Sequence, residues 1–215
     1  IEFAASGNFP VLILGETGTG KSRIAREIHN LSLKKSGKFV KAQLSESNND
    51  LIASEFFGHV RGAFTGAIDT RVGLLEEANN GTILIDEVDT LPESVQLMLL
   101  EAIQEKSFRA IGSTKTVQSN FRLIATTNHP METLVSNGKL RADFFHRIAH
   151  HCIYMPPLRY RVEDIPDLAE MALLQSCDRN GYSLNGLDRT AYALLSKKDW
   201  PGNIRELFGV VELAS

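Results

Sequence analysis

Short runs of uniformly apolar residues recur along the chain, separated by longer stretches whose apolar positions fall three and four apart. Val11-Leu-Ile-Leu14 is apolar at every position and Thr82-Ile-Leu-Ile85 at every position after its threonine, as central strands of a parallel sheet covered on both faces should be. Phe39-Val-Lys-Ala42, Phe121-Arg-Leu-Ile-Ala-Thr126 and His151-Cys-Ile-Tyr-Met155 read as three further strands. Between them, Pro92 to about Lys106 carries Val95, Met98, Leu99, Ala102 and Ile103 at helical spacing, with a proline at the first turn. A helix also follows the Gly-rich segment after the first strand, through about Leu33. Strands alternating with helices predict a five-stranded parallel α/β sheet with crossover helices. Pro156-Pro157 ends this pattern. Beyond it, Asp164 to about Asp178, Asp188 to Lys197 and Pro201 to Ala214 read as helices, the first two opening on an aspartate N-cap. The expected division is an α/β part over 1–157 and a small helical part over 158–215.

Composition narrows the function. In 215 residues, 23 Lys+Arg stand against 26 Asp+Glu, a formal net charge of −3. A domain that grips duplex DNA by itself needs a basic excess, so direct DNA binding by this chain is not expected. No apolar run approaches the roughly 20 residues of a membrane span, and no signal-peptide pattern opens the chain. Two cysteines, Cys152 and Cys177, form no disulfide framework or metal-ligand spacing, which suits a reducing, cytoplasmic setting. The abrupt ends read as those of an excised fragment.

The strongest chemical signal is Gly15-Glu16-Thr17-Gly18-Thr19-Gly20-Lys21-Ser22. It matches G-x-x-x-x-G-K-[ST] between a strand and a helix. There the glycines let backbone N–H groups converge on phosphate oxygens. Lys21 would reach the β- and γ-phosphates, and Ser22 would ligate Mg²⁺. Asp86-Glu87 closes the apolar strand at 82–85, at the sheet edge where ligands bind in open α/β folds. Asp86 suits Mg²⁺, mostly through water. Glu87 suits a role polarising the attacking water, which favours ATP hydrolysis over phosphate transfer to a small molecule. A solvated Asp-Glu at a helix start is the plain alternative.

Three further features remain open on the residues alone. Ala125-Thr-Thr-Asn128 ends the fourth strand, and Asn128 could sense a γ-phosphate or merely make a strand-end turn. Arg141 and Arg147 lie on a segment of helical period, and six residues would turn them about 120° apart. They could serve a neighbouring subunit's nucleotide and the interface, or simply face solvent. Gly62-Ala63-Phe64-Thr65-Gly66-Ala67 has neither helix nor strand period; Phe64 could be buried or stand exposed to grip a partner. His146 and His150 are four apart, but with His150 at a strand start no metal site is expected.

Together these residues resemble a known family, the AAA+ domain of bacterial enhancer-binding proteins, the ATPases that activate sigma-54 RNA polymerase. The hexapeptide Gly62–Ala67 is that family's signature. The likeness extends through Gly15–Lys21, Gly81–Glu87, Thr127-Asn128, Leu140–Asp143, Arg147, Pro156–Arg159 and Trp200–Leu207. The resemblance implies an AAA+ P-loop NTPase, with a five-stranded parallel sheet and a C-terminal helical lid. It also implies a ring, usually a hexamer, binding ATP between subunits. Arg141 and Arg147 would act in trans, Asn128 would be the first sensor and Arg205 the second, and Phe64 and Thr65 would contact sigma-54. DNA binding would belong to a module elsewhere in the full protein. Two departures stand out. Ser22 occupies a position where the family often has Glu. Gln43 occupies the place of an Asn that relays nucleotide state from the catalytic Glu to the loop. Gln43 is the sole support for a rival expectation, an ATP-gated scaffold with little turnover. A DNA-translocating motor is a third, opposed by the net negative charge and the apolar hexapeptide.

Overall fold

A computed structural model describes residues 1–42, 49–181 and 186–214. In chain order the elements are α1 (Glu2–Ser6), β1 (Val11–Leu14), α2 (Lys21–Asn30), β2 (Phe39–Ala42), α3 (Asn49–Phe57) and α4 (Leu74–Glu77). They continue with β3 (Thr82–Ile85), α5 (Glu93–Glu105), β4 (Ser107–Arg109), β5 (Thr116–Gln118), β6 (Arg122–Thr127), α6 (Met131–Ser136), α7 (Ala142–Ile148) and β7 (His151–Tyr154). The last three are α8 (Ile165–Asn180), α9 (Arg189–Leu195) and α10 (Asn203–Ala214). Short 3₁₀ turns occupy Val88–Thr90, Leu158–Tyr160 and Val162–Asp164.

The main sheet has the order β2-β3-β6-β1-β7. Its β2–β3, β3–β6 and β6–β1 pairs are parallel. All five strands expected from the apolar runs are present, with the fourth shifted by one residue to 122–127 and the fifth ending at Tyr154. Every residue of β1, β3 and β6 is buried, which is why these strands lack polar alternation. Thr82 is the polar member of β3, and its hydroxyl meets His29 Nδ1 at 2.9 Å. The helices cover both faces, and one core joins side chains such as Leu12, Phe56, Ile83, Leu99, Leu123 and Phe144.

By internal packing the chain falls into two units. One comprises Ile1–Leu14 and Ser22–Ile153; the other comprises Gly15–Lys21 and Tyr154–Ser215. The phosphate-loop segment therefore packs with the helical part, a grouping different from a single cut near 157. The second unit has its own core around Leu158, Ile165, Ala169, Trp200, Leu207 and Val211. Trp200 is fully buried, and its indole N–H donates to Leu195 O at 2.8 Å.

Two local expectations are corrected, and one hairpin is added. Arg141 is not helical: it is the extended N-cap of α7, at φ −62° and ψ 141°, so the 120° argument does not apply to it. Asp164 caps nothing with its side chain, because it closes a 3₁₀ turn, whereas Asp188 accepts from Ala191 N at 2.7 Å. The hairpin β4–β5 went unforeseen because its strands are three residues long. Among the described residues no helix is long and apolar enough to cross a membrane. They also hold no group of three or more His, Cys, Asp or Glu able to bind a metal.

Candidate functional site

In the α/β unit the site begins where β3 ends. Asp86 lies half-buried between three donors. Lys41 Nζ is 2.8 Å from Oδ2, Ser22 Oγ donates to the same oxygen at 3.3 Å, and Thr126 Oγ1 donates to Oδ1 at 2.5 Å. Burial alone would raise this carboxyl's pKa, but hydrogen bonds from Lys41, Thr126 and Ser22 together bring it below the usual value. The site therefore presents a carboxylate and a hydroxyl on neighbouring elements. That is a hard-oxygen donor pair suited to Mg²⁺, though Lys41 shares the carboxylate.

Glu87 follows in the left-handed region at φ 54°, ψ 54°, a conformation uncommon for a residue with a long side chain. Its backbone N–H donates to Thr126 Oγ1 at 3.2 Å, holding the distortion in place. The side chain is exposed. Strain of this kind costs about 1–3 kcal/mol and collects at functional positions. One residue farther along β6, Thr127 Oγ1 donates to the buried Asp89, and His129 Nε2 stands 3.4 Å from the other Asp89 oxygen. Asn128 lies exposed between them.

Arg141 and Arg147 are kept apart by α7. At its N-terminal end, Arg141 donates to Glu93 Oε1 at 2.7 Å and in a fork to Asp143 at 3.0 and 3.1 Å. The Asp143 carboxylate, with Glu93, raises the guanidinium's pKa further, and Arg141 in turn lowers Asp143. Arg147 is exposed at the other end, bordering a cavity of about 300 Å³ with Lys106, His146 and His150. His150 lies outside the helix and stacks on Phe9.

The hexapeptide is a closed loop. Gly62 N donates to Ala67 O at 2.8 Å, and Ala67 N to Phe64 O at 3.0 Å. Gly62 and Gly66 take φ of 81° and 101°, which favours glycine at both. Phe64 is neither in the core nor at the tip. It is half-buried with its ring edge-on to His59 at 5.1 Å, leaving Thr65 and Gly66 as the exposed end. Ser54 Oγ in turn lies 2.6 Å from His59 Nδ1. Gln43 lies outside the described residues.

In the second unit, the Gly-rich loop is threaded through a polar network. Lys21 Nζ donates to Gly15 O at 2.6 Å and Glu16 O at 3.0 Å, and Thr19 Oγ1 donates to Glu16 O at 2.8 Å. Arg161 donates to Thr19 O, and Ile204 N to Gly18 O. Gly18, at φ +82°, passes so close to α10 that a Cβ there would stand 2.2 Å from Gly202 O and 3.2 Å from Arg205 Cβ. Arg205 is thus set beside the loop, with its side chain exposed. The fully buried Asn203 accepts from Leu158 N at 2.7 Å and donates to Thr17 O at 3.0 Å and Glu16 Oε2 at 3.2 Å.

Arg159 grips Glu16 in a fork at 2.6 and 2.8 Å. Its hydrogen bonds, then that of Asn203, lower the Glu16 carboxyl from 4.5 to about 2. A depressed folded-state pKa makes this contribution complete above about pH 4.5 and removes it as pH falls through about 2. The second unit should accordingly lose stability across that window, modestly because Glu16 is 42% exposed and screened. Thermal unfolding of Glu16→Gln should show a flatter pH dependence between 5 and 2. Equal slopes would deny the pair any role in stability.

Sequence reasoning missed Lys41 on Asp86 in the first unit, and Arg159 and Asn203 on Glu16 in the second. Lys41 had a usable signal: in the parallel register Ala42 pairs with Ile85, so a lysine there flanks the strand end that carries Asp86. Glu16 and Arg159 are 143 residues apart, and nothing local announces their pairing.

Known proteins sharpen this picture. A family profile described as the sigma-54 interaction domain matches residues 1–154, and one described as an AAA+ ATPase lid domain matches 159–215. The chain is 42% identical over its whole length to the formate hydrogenlyase transcriptional activator FhlA of Escherichia coli, and 44% identical over 95% of its length to the regulatory protein AtoC of the same organism. It spans 31% and 44% of those proteins, respectively. Among solved structures, NtrX from Brucella abortus in complex with ATP matches 98% of this chain and 46% of its own, at TM-score 0.88 and 33% identity. The fold is that of an AAA+ P-loop NTPase with a helical lid.

Proposed function

Since the chain belongs to the sigma-54 interaction domain family and carries the AAA+ lid, we propose that it hydrolyses ATP to remodel the sigma-54 RNA polymerase closed complex. Its loop at Gly62–Ala67 would make the contact. The observation that carries this reading is the folded hexapeptide itself. Its ends are joined by a backbone hydrogen bond, Phe64 is held on His59, and Thr65 is offered to solvent. The same unit holds the Ser22–Asp86–Thr126 cluster.

In this reading the Gly15–Lys21 backbone and Lys21 bind the triphosphate, and Arg205 beside Gly18 senses it as the second sensor. Ser22 and Asp86 would hold Mg²⁺, which neutralises phosphate charge when bound. Glu87 takes a proton from the attacking water, and Asn128 hydrogen-bonds near the γ-phosphate. Arg141 and Arg147 act on the nucleotide of an adjacent protomer in a ring, expected to be a hexamer. Gln43, in place of the family's Asn, would still offer an amide to Glu87. The chain would work in the cytoplasm, with DNA binding left to another module.

The test is retention of sigma-54 holoenzyme on the assembled protein with ADP and aluminium fluoride. Wild type should retain it, while Phe64→Ala and Thr65→Ala should not. A ring that hydrolyses ATP yet retains no sigma-54 would remove the partner assignment.

A further inference from the structure

Gln96, in the first turns of α5, is 2% exposed and uses its amide in three directions. Nε2 donates to Leu91 O at 2.8 Å and to Lys139 O at 3.0 Å, while Oε1 accepts the backbone N–H of Arg141 at 2.9 Å. Leu91 closes the 3₁₀ turn that Glu87 opens. Lys139 and Arg141 lie in the segment that leads into α7. One side chain therefore joins the segment leaving the water-polarising glutamate to the segment presenting the arginine. The two segments and Gln96 line one cavity of about 320 Å³, with the buried Asp89 in its wall.

Chemistry restricts what could replace it. Two carbonyls need donors and one N–H needs an acceptor, and only an amide of this length supplies both kinds at once. Leucine would leave all three backbone groups without their partner, and glutamate would keep the acceptor but turn a negative oxygen on the carbonyls. Arg141 is the extended N-cap of α7, and its backbone is held at two points: its carbonyl accepts from Phe145 N at 2.9 Å, and its N–H, which no helical bond takes, donates to Gln96.

We propose that Gln96 is a positioning residue. It sets the backbone of Arg141 so that its guanidinium meets the γ-phosphate of the nucleotide on the adjacent protomer. This rests on the reading of Arg141 as trans-acting. A displacement of about 1 Å in such a group can cost about 10²-fold in rate. Gln96→Leu should therefore lower kcat by about that factor while its own nucleotide affinity stays near wild type.

Mixed assemblies separate this role from a merely structural one. Gln96→Leu subunits keep Glu87 but misplace Arg141, and Glu87→Gln subunits keep Arg141 but lack the base. Each alone should be nearly inactive. Mixed in equal amounts they should recover turnover, because a sound Glu87 then meets a sound Arg141 across an interface. Arg141→Ala mixed with Glu87→Gln is the control. If the control does not recover, the trans reading of Arg141 fails. If the control recovers and the Gln96→Leu mixture does not, or if Gln96→Leu alone turns over normally, the role of Gln96 is overturned. Should the leucine variant fail to fold, Gln96→Met, which keeps the side-chain length but lacks the acceptor for Arg141 N–H, is put through the same mixtures and read by the same outcomes.

Discussion

Arg141→Ala is expected to reduce ATP turnover by about 10³–10⁵-fold, the range spanned by arginines that neutralise transition-state charge on a transferred phosphoryl group. Binding of nucleotide should survive, because the proposed function assigns the phosphates to Lys21 and the loop backbone. Stability should barely change. The partners of Arg141, Glu93 and Asp143, are solvent-facing carboxylates, and exposed pairs of this kind contribute little. Those same carboxylates hold the guanidinium on its own protomer, so reaching a neighbour's phosphate requires exchanging them for it. Steady-state phosphate release, run beside a binding titration on the assembled ring, checks the outcome. Normal hydrolysis would show that Arg141 has no part in the reaction.

Glu87→Gln should be the second severe lesion, costing about 10²–10⁴-fold in kcat as expected when a general base is removed. Glutamine is nearly isosteric and can adopt the same left-handed backbone, still donating its N–H to Thr126. The Asp86 cluster should therefore remain intact, and the variant should load ATP and keep it. A single-turnover experiment would then show bound nucleotide unhydrolysed over many wild-type turnover times. Rapid hydrolysis would transfer the base role elsewhere. Because Glu87 stands at φ 54°, glycine at the same position isolates the strain. It relieves the backbone while removing the base, so activity should fall as far as in Glu87→Gln.

The two variants draw on features that were unequally visible in the primary sequence. Asp86-Glu87 was legible because a buried parallel strand is mostly apolar, so two acids directly after Ile83-Leu-Ile85 stand out at its end. The strained backbone of Glu87 was not legible, since the bond that holds it comes from Thr126, 39 residues away. Arg141 was recognised as a residue of interest but placed on a helix it does not enter. Local periodicity cannot see that Gln96, from a distant helix, accepts its backbone N–H. Phe64 shows the same limit. Its neighbouring glycines announced a loop, but only packing against His59 settled that the ring folds back and leaves Thr65 outermost.

By itself the amino-acid sequence determined the five strands of the main sheet, the Gly-rich loop, the acidic pair and the signature hexapeptide. Each of these is written in adjacent residues, as apolar continuity, glycine spacing or a fixed string. Tertiary structure alone decided which distant groups complete them: Lys41 on Asp86, Arg159 and Asn203 on Glu16, Gln96 on Arg141, and the packing of Gly15–Lys21 with the helical unit. These contacts join backbone and side-chain groups 45 to 187 residues apart. At such separations a hydrogen bond is specified by the fold that brings its ends together, and no local pattern carries it.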